Sequence, residues 1–153
     1  MSRVCVFFAE GYEEIEALTV VDLLRRAGIE VAMVSITGNK VVTSSHQIPV
    51  TMDSLFEEMD FSRTEMLVFP GGMPGTKNLE EYEPLMSLLD DFYKQGKYIA
   101  AICAAPRILG HRGMLEGRTA CSFPEMESHL AGAQVTKNTT EVSGNIITAR
   151  GMG

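Results

Sequence analysis

Cys103 closes the apolar run Tyr98-Ile99-Ala100-Ala101-Ile102 and is followed by Ala104-Ala105-Pro106 and a helical pattern through Gly110. This reads as a buried strand, a sharp turn and a helix, with a thiol at the corner. Such a corner aims its side chain out of the sheet, as serine is presented in the nucleophile elbow. A helix start beside the thiol favours thiolate through its unpaired N–H groups and its dipole. Cys103 is therefore a candidate nucleophile with a lowered pKa. Away from such a corner, a cysteine in an apolar run is a small core hydrophobe. That is the reading for Cys5 and Cys121, which lie in predicted strands.

A carboxylic acid stands on the first predicted helix. On a wheel of about 100° per residue, Ala17, Val20, Val21, Leu23, Leu24 and Ala27 form an apolar stripe, with Asp22, Arg25 and Arg26 opposite. Glu16 falls inside the stripe, one turn before Val20. Burial there raises a carboxyl pKa and keeps the proton on at neutral pH. A protonated Glu16 can donate to a thiolate and hold Cys103 ionised; the plainer alternative is a half-exposed glutamate at a helix end. Ile15 and Leu18 fall on the polar face. They are either scattered surface residues or an association surface, for which a symmetric dimer is the commonest solution.

The segment Pro70-Gly71-Gly72-Met73-Pro74-Gly75 follows a third predicted strand. Glycines let backbone N–H groups approach a ligand closely. With Ala104, the backbone of Gly71 and Gly72 could form an oxyanion hole for a species attacked by Cys103. The same turn could cradle a phosphate or be a plain tight turn. Neither G-x-G-x-x-G nor G-x-x-x-x-G-K-[ST] is present, which leaves dinucleotide and P-loop readings weak.

The elements that must position these groups alternate along the chain. Strands are expected over Val4–Phe8, Ile29–Ile36, Met66–Phe69, Ile99–Ile102, Gly117–Ser122 and Ile146–Ala149. Helices are expected over Glu13–Ala27, ended by Gly28, and Leu85–Gln95, with a small excursion over Lys40–Ser44 and Ile48–Met52. Apolar strands alternating with amphipathic helices imply a mostly parallel α/β sheet covered on both faces. Ligands on such sheets sit beyond the carboxyl ends of the strands, where Ala9–Tyr12, Pro70–Gly75 and Cys103 all fall. The 153 residues fit one domain. The sequence stops just after a buried strand, so a covering C-terminal helix, or another chain, is expected beyond it.

The net charge of −7 argues against nucleic acid or an anionic membrane as the main partner. No apolar run has transmembrane length, and the N-terminus lacks the pattern of a signal peptide. Three cysteines at no metal-ligand spacing are expected to be reduced thiols of a cytoplasmic protein, with no metal site.

Four segments together resemble the ThiJ/PfpI superfamily: Ala9-Glu10-Gly11-Tyr12-Glu13-Glu14-Ile15-Glu16, Leu23-Leu24-Arg25-Arg26-Ala27-Gly28-Ile29, Phe69-Pro70-Gly71-Gly72-Met73-Pro74-Gly75 and Ala100-Ala101-Ile102-Cys103-Ala104-Ala105-Pro106. Thr148-Ala149-Arg150-Gly151 is similar as well. The resemblance implies a flavodoxin-like three-layer sandwich and a homodimer built partly on the first helix, through Ile15 and Leu18. It implies that Cys103 is a reactive, oxidation-prone thiol, that Glu16 is a protonated glutamate bonded to it, and that Gly71 and Gly72 line the thiol pocket. It places His46 where it can approach the pocket of a dimer partner. Family chains continue for a further helix.

Departures from the family bear on mechanism. Ala104 stands where family proteases place histidine, and Phe123 stands before Pro124 where some members have histidine. His111 and His129 are expected on helices away from the thiol, so no Cys-His-acid triad assembles and peptide hydrolysis is disfavoured. No downstream His-x-Glu supports an amidotransferase. What the resemblance implies is a cofactor-independent enzyme acting on small α-oxoaldehydes, of glyoxalase III or deglycase type, with Cys103 as nucleophile and Glu16 as general acid/base. The alternative is a peroxide-responsive redox sensor or chaperone working through Cys103 oxidation.

Overall fold

The computed structural model describes residues 3–152. Its central sheet contains β1 (Arg3–Phe8), β2 (Glu30–Ser35), β5 (Ser54–Leu55), β6 (Thr64–Phe69), β7 (Tyr98–Ile102), β10 (Thr140–Ser143) and β11 (Ile146–Ala149). Their spatial order is β10-β11-β7-β6-β1-β2-β5, and every pairing is parallel except β10 with β11. The remaining strands, β3 (Val41–Thr43) with β4 (Pro49–Thr51) and β8 (Thr119–Ala120) with β9 (Gln134–Val135), form two small sheets.

The continuous apolar run of β1 has a simple cause. Successive side chains point to opposite faces, and both faces are covered. Cys5 and Phe7 join one core with Leu67, Phe69, Ile99 and Ala101. The helices α3 (Glu83–Lys94) and α4 (Pro106–His111) complete it through Leu85, Leu89, Ile108 and Leu109. Val4, Val6 and Phe8 join a second core under α1 (Glu14–Arg26), which contributes Ala17 and Val21. The result is a mostly parallel sheet between two helical layers.

The chain runs outward from β1 to β2 and β5, then returns to β6 on the other side of β1. Strand order therefore reverses between β1 and β6, the kind of place where an open α/β sheet opens a crevice at its carboxyl edge. The turns after β1, β6 and β7 meet there.

Several expectations need correction. The predicted strand over Gly117–Ser122 is only Thr119–Ala120 and pairs with β9 outside the main sheet. Gly117 is left-handed and ends the turn over residues 112–117, and the Cys121 N–H goes to Thr148 Oγ1 at 3.0 Å rather than to a strand neighbour. Sheet pairing ends instead on the antiparallel β10, which periodicity did not single out. On α1, Leu23 is 59% exposed, and Ala27 just after the helix is also exposed, because the face packed on the sheet runs along Ala17 and Val21 with Leu18, Val20 and Leu24 partly buried beside them. Beside that face, Val20, Leu24, Met66, Val68, Ala100 and Ile147 line an apolar groove of about 280 Å³. No helix among the described residues is long and apolar enough to cross a membrane.

Candidate active site

Helix α1 begins where the turn after β1 ends. Glu13 caps it by accepting the Ile15 N–H at 3.2 Å, and Glu14 and Glu16 occupy the first turn, where carboxylates suit the helix dipole. Arg25 and Arg26 complete the charge pattern at the other end. This start fixes the rotation of the helix and turns Glu16 inward, where it is 4% exposed.

Cys103 follows β7 directly and has φ of 62°, a left-handed conformation that is unfavourable by about 1–2 kcal/mol for a residue with a side chain. Two backbone bonds hold it there: its N–H donates to Ala149 O and its carbonyl accepts from the Phe123 N–H, each at 2.8 Å. The sharp corner expected from the sequence is thus present. The helix is less close than expected. It spans Pro106–His111, starting three residues beyond the thiol, so its dipole does not dominate there.

Gly71 and Gly151 bring acid and thiol together. A β-carbon at Gly71 would lie 2.6 Å from Glu16 Oε1, 2.7 Å from Cys103 Cβ and 2.9 Å from Ile102 O. One at Gly151 would lie 2.6 Å from Glu16 Oε2, 2.9 Å from Cys103 Cβ and 3.1 Å from Cys103 Sγ. Neither position has room for any side chain. Gly72 does something different. With φ of 91°, it packs against the turn after β1, and a β-carbon there would sit 2.4 Å from the Glu13 nitrogen. Its bareness lets that turn close, and the Glu13 N–H donates to Gly71 O at 3.0 Å.

The electrostatics follow from burial. Burial pushes the Glu16 carboxyl above its ordinary value; the Cys103 thiol and the Met152 and Gly71 amides draw it part-way back. The Met152 N–H donates to Oε2 at 3.4 Å, while Oε1 is buried with no well-aligned partner. Burial, then the Glu16 carboxylate, pushes the Cys103 thiol up to about 12, opposed by the Ala104 N–H. The expectation of an intrinsically lowered thiol pKa is therefore overturned. Acid and thiol act on each other: the thiol draws the Glu16 carboxyl down, and the carboxylate opposes negative charge on the sulfur. Cys5 and Cys121 are fully buried, and burial raises both of their thiols.

The remaining candidates lie outside this pair. His46 is 66% exposed; its Nδ1 is 2.8 Å from Glu14 Oε1 and 4.0 Å from Glu13 Oε2. These three residues place ligand atoms within 4.8 Å of one another. Glu13 also caps α1, and His46 Nδ1 lies within hydrogen-bond reach of Glu14 and of Ser45 Oγ. Ile15 is 54% exposed, whereas Leu18, expected on the polar face, is half-buried and packs against the core under α1 because it lies beside Ala17 and Val21. His111 bridges Glu80 and His129, with Nε2 2.8 Å from His129 Nδ1, and neither histidine forms a pair with the thiol. Sequence reasoning missed the closing segment: Gly151 and Met152 separate two pockets, of about 230 Å³ beside Glu16 and about 370 Å³ beside Phe123, Thr139 and Arg150. The similarity of Thr148-Ala149-Arg150-Gly151 was the signal that pointed to it.

Residues 2–153 match the model of the DJ-1/PfpI family. Among curated relatives, Protein DJ-1 homolog B of Arabidopsis thaliana is 34% identical over 99% of this chain, which spans only 35% of that longer protein. A protein named as a deglycase from Pyrococcus abyssi is 30% identical, over 97% of this chain and 89% of the relative. The solved structure of oxidized Toxoplasma gondii DJ-1 superposes with a TM-score of 0.93 at 34% identity, covering 99% of this chain and 83% of the other.

Proposed function

The chain belongs to the DJ-1/PfpI family, and on that premise we propose that it is a cofactor-independent lyase of α-oxoaldehydes, with Cys103 as nucleophile and Glu16 as general acid/base. The observation that carries this reading is the packing of the Glu16 carboxyl and the Cys103 thiol into one space walled by Gly71 and Gly151. A relative of 30% identity is named as a deglycase, which supports an enzymatic reading of the chain.

Cys103 sulfur adds to the aldehyde carbon, forming a C–S bond, and the thiol proton passes through Glu16 to the carbonyl oxygen. The hemithioacetal carbon then gives its proton to Glu16, which delivers a proton to the adjacent carbon, while the hemithioacetal hydroxyl proton moves to the second carbonyl oxygen, leaving a carbonyl on the sulfur-bearing carbon and a hydroxyl on its neighbour. The resulting thioester is hydrolysed: water supplies the carboxyl oxygen, the C–S bond breaks, and a 2-hydroxy acid leaves with the thiol restored. Oxidation and reduction balance within the substrate, so no external redox partner is needed. The Ala104 amide steadies the oxyanion. The test is lactate formation from methylglyoxal. Wild-type protein should form it, and Cys103→Ala and Glu16→Gln should not; equal rates in all three overturn the reading.

A second reading is a redox sensor. Only Cys103 of the three cysteines is partly exposed, and a similar protein has been solved in an oxidized form. Low peroxide should then oxidise Cys103 to sulfinate ahead of Cys5 and Cys121; oxidation without that preference removes it. In either case we propose a homodimer through Ile15 and Leu18, with His46 approaching the partner's pocket. Sedimentation of Ile15→Glu against wild type checks this, a monomeric wild type being the contrary result.

A further inference from the structure

We infer that the His111–His129 pair is an acid-released clasp: it holds the 3-10 segment Pro124–His129 on α4 while the two rings carry at most one added proton, and it frees the segment once both rings are protonated. His111 ends α4 and His129 ends the 3-10 segment. They meet because Gly110 is bare. A β-carbon there would lie 2.0 Å from His129 O and 3.0 Å from Leu130 Cα, so the segment lies directly on the helix only beside glycine. His111 Nε2 then stands 2.8 Å from His129 Nδ1. The ring centroids are 5.0 Å apart, close to the greatest separation that this contact permits, so the two nitrogens face one another nearly head-on. One hydrogen fits between them. A metal ion shared by both rings would need their lone pairs to converge beside that line instead.

A third partner sets the proton count. Glu80, at the end of α2 (Gly75–Glu80), accepts from His111 Nδ1–H, and Arg107 Nη2 lies 3.4 Å from its other oxygen. A carboxylate in that position fixes the hydrogen of a neutral His111 on Nδ1 and leaves Nε2 as an acceptor. His129 therefore donates through Nδ1–H. A first added proton goes to the outer nitrogen of His129, and the bond survives. A second goes to His111 Nε2, which sets two N–H groups of two positive rings against each other, and the bond is lost. Other charges on the surrounding elements are engaged elsewhere or exposed. Arg112 holds Asp90 of α3, Glu127 holds Lys137, and Glu81, Glu83 and Glu125 face solvent. The His111 side chain is 40% exposed, so solvent protons reach the pair.

The clasp stabilises the segment above the pH at which the second ring charges. That contribution is lost as pH falls through the imidazole range, between about pH 8 and pH 5. Glu16 acts in the opposite sense, because its raised pKa makes its proton stabilising at low pH, so global melting would mix the two. The segment also walls the pocket of about 370 Å³ with Pro124, and its release enlarges that pocket.

The test therefore reads the segment alone. Hydrogen exchange of the whole chain is followed by mass spectrometry at about pH 7.5 and about pH 5, corrected for the intrinsic pH dependence of exchange, with β1 as internal reference. Wild-type peptides covering residues 124–130 should open roughly ten-fold more at the lower pH, the effect of losing one hydrogen bond. His129→Gln and His111→Gln should each remove that pH dependence, because an amide takes up no proton. A wild-type segment without the dependence overturns the clasp. So does an equal dependence in His129→Gln, which would assign it to Glu80 or another carboxylate. Nitrogen NMR of the wild-type imidazoles keeps the test open if the variants do not fold. A hydrogen shared between His111 Nε2 and His129 Nδ1 should be seen at the higher pH and not at the lower; its absence at both, or its persistence at both, overturns the clasp.

Discussion

Glu16, on the first helix, and Cys103, directly after β7, meet in a space that exists only because Gly71 and Gly151 lack side chains: Glu16 Oε1 and Cys103 Cβ lie 2.6 and 2.7 Å from where a β-carbon of Gly71 would stand. Gly71→Ala and Gly151→Ala should each destabilise the fold by about 1–3 kcal/mol, the usual range for overpacking. Both should also shift Cys103 alkylation to lower pH by separating the thiol from the carboxylate that raises its pKa. Urea titration and alkylation rates measure the two effects, and a Gly71→Ala protein with wild-type values for both contradicts the arrangement.

Glu16 predicts a pH dependence whose sign is fixed. Folding raises its pKa, so its proton stabilises the fold fully below its unfolded value of 4.5, and that stabilisation is lost as pH rises through the folded value. Glutamine mimics the protonated acid at every pH. The melting temperature of Glu16→Gln relative to wild type should therefore be higher at pH 8 than at pH 4. Removing the carboxylate should also lower the Cys103 pKa from about 12, so the alkylation profile of Glu16→Gln should shift to lower pH even as 2-hydroxy acid formation is lost. A shift in the opposite direction would contradict the coupling.

The left-handed backbone at Cys103 predicts an inverted order of stability. Glycine ordinarily destabilises relative to alanine, but at φ of 62° alanine has the steric penalty and glycine does not. Cys103→Gly should be more stable than Cys103→Ala by about 0.5–1 kcal/mol. Denaturant midpoints decide this, and the ordinary order would show that the elbow relaxes when the thiol is removed.

His111 should be a structural residue. It joins Glu80, at the end of α2 (Gly75–Glu80), to His129, on the 3-10 segment Pro124–His129, and so ties together segments that surround the elbow helix. His111→Ala should lower stability by about 1–2 kcal/mol through two lost hydrogen bonds. Its effect on the Cys103 alkylation pH profile should be nil. A profile displaced in His111→Ala would instead place the histidine in electrostatic contact with the thiol.

Local signals in the sequence determined the alternation of strands and helices, the corner at Cys103, the inward face of Glu16 and the glycine turn. Each rests on a pattern that a few neighbouring residues carry: apolar runs, a helical wheel, or glycines bounded by proline. Tertiary structure alone decided that Leu23 and Ala27 face outward, because a wheel gives the direction of a stripe but not how much of it meets the sheet. Tertiary structure also split the adjacent glycines, sending Gly71 to the acid–thiol pair and Gly72 to the turn after β1. It reversed the direction of the Cys103 pKa, since desolvation and the Glu16 charge depend on residues distant in the chain while the helix dipole is local. Long-range contact likewise brought Gly151 and Met152 against the acid–thiol pair: nothing in residues 148–152 encodes proximity to position 103, which arises from the parallel pairing of β11 with β7.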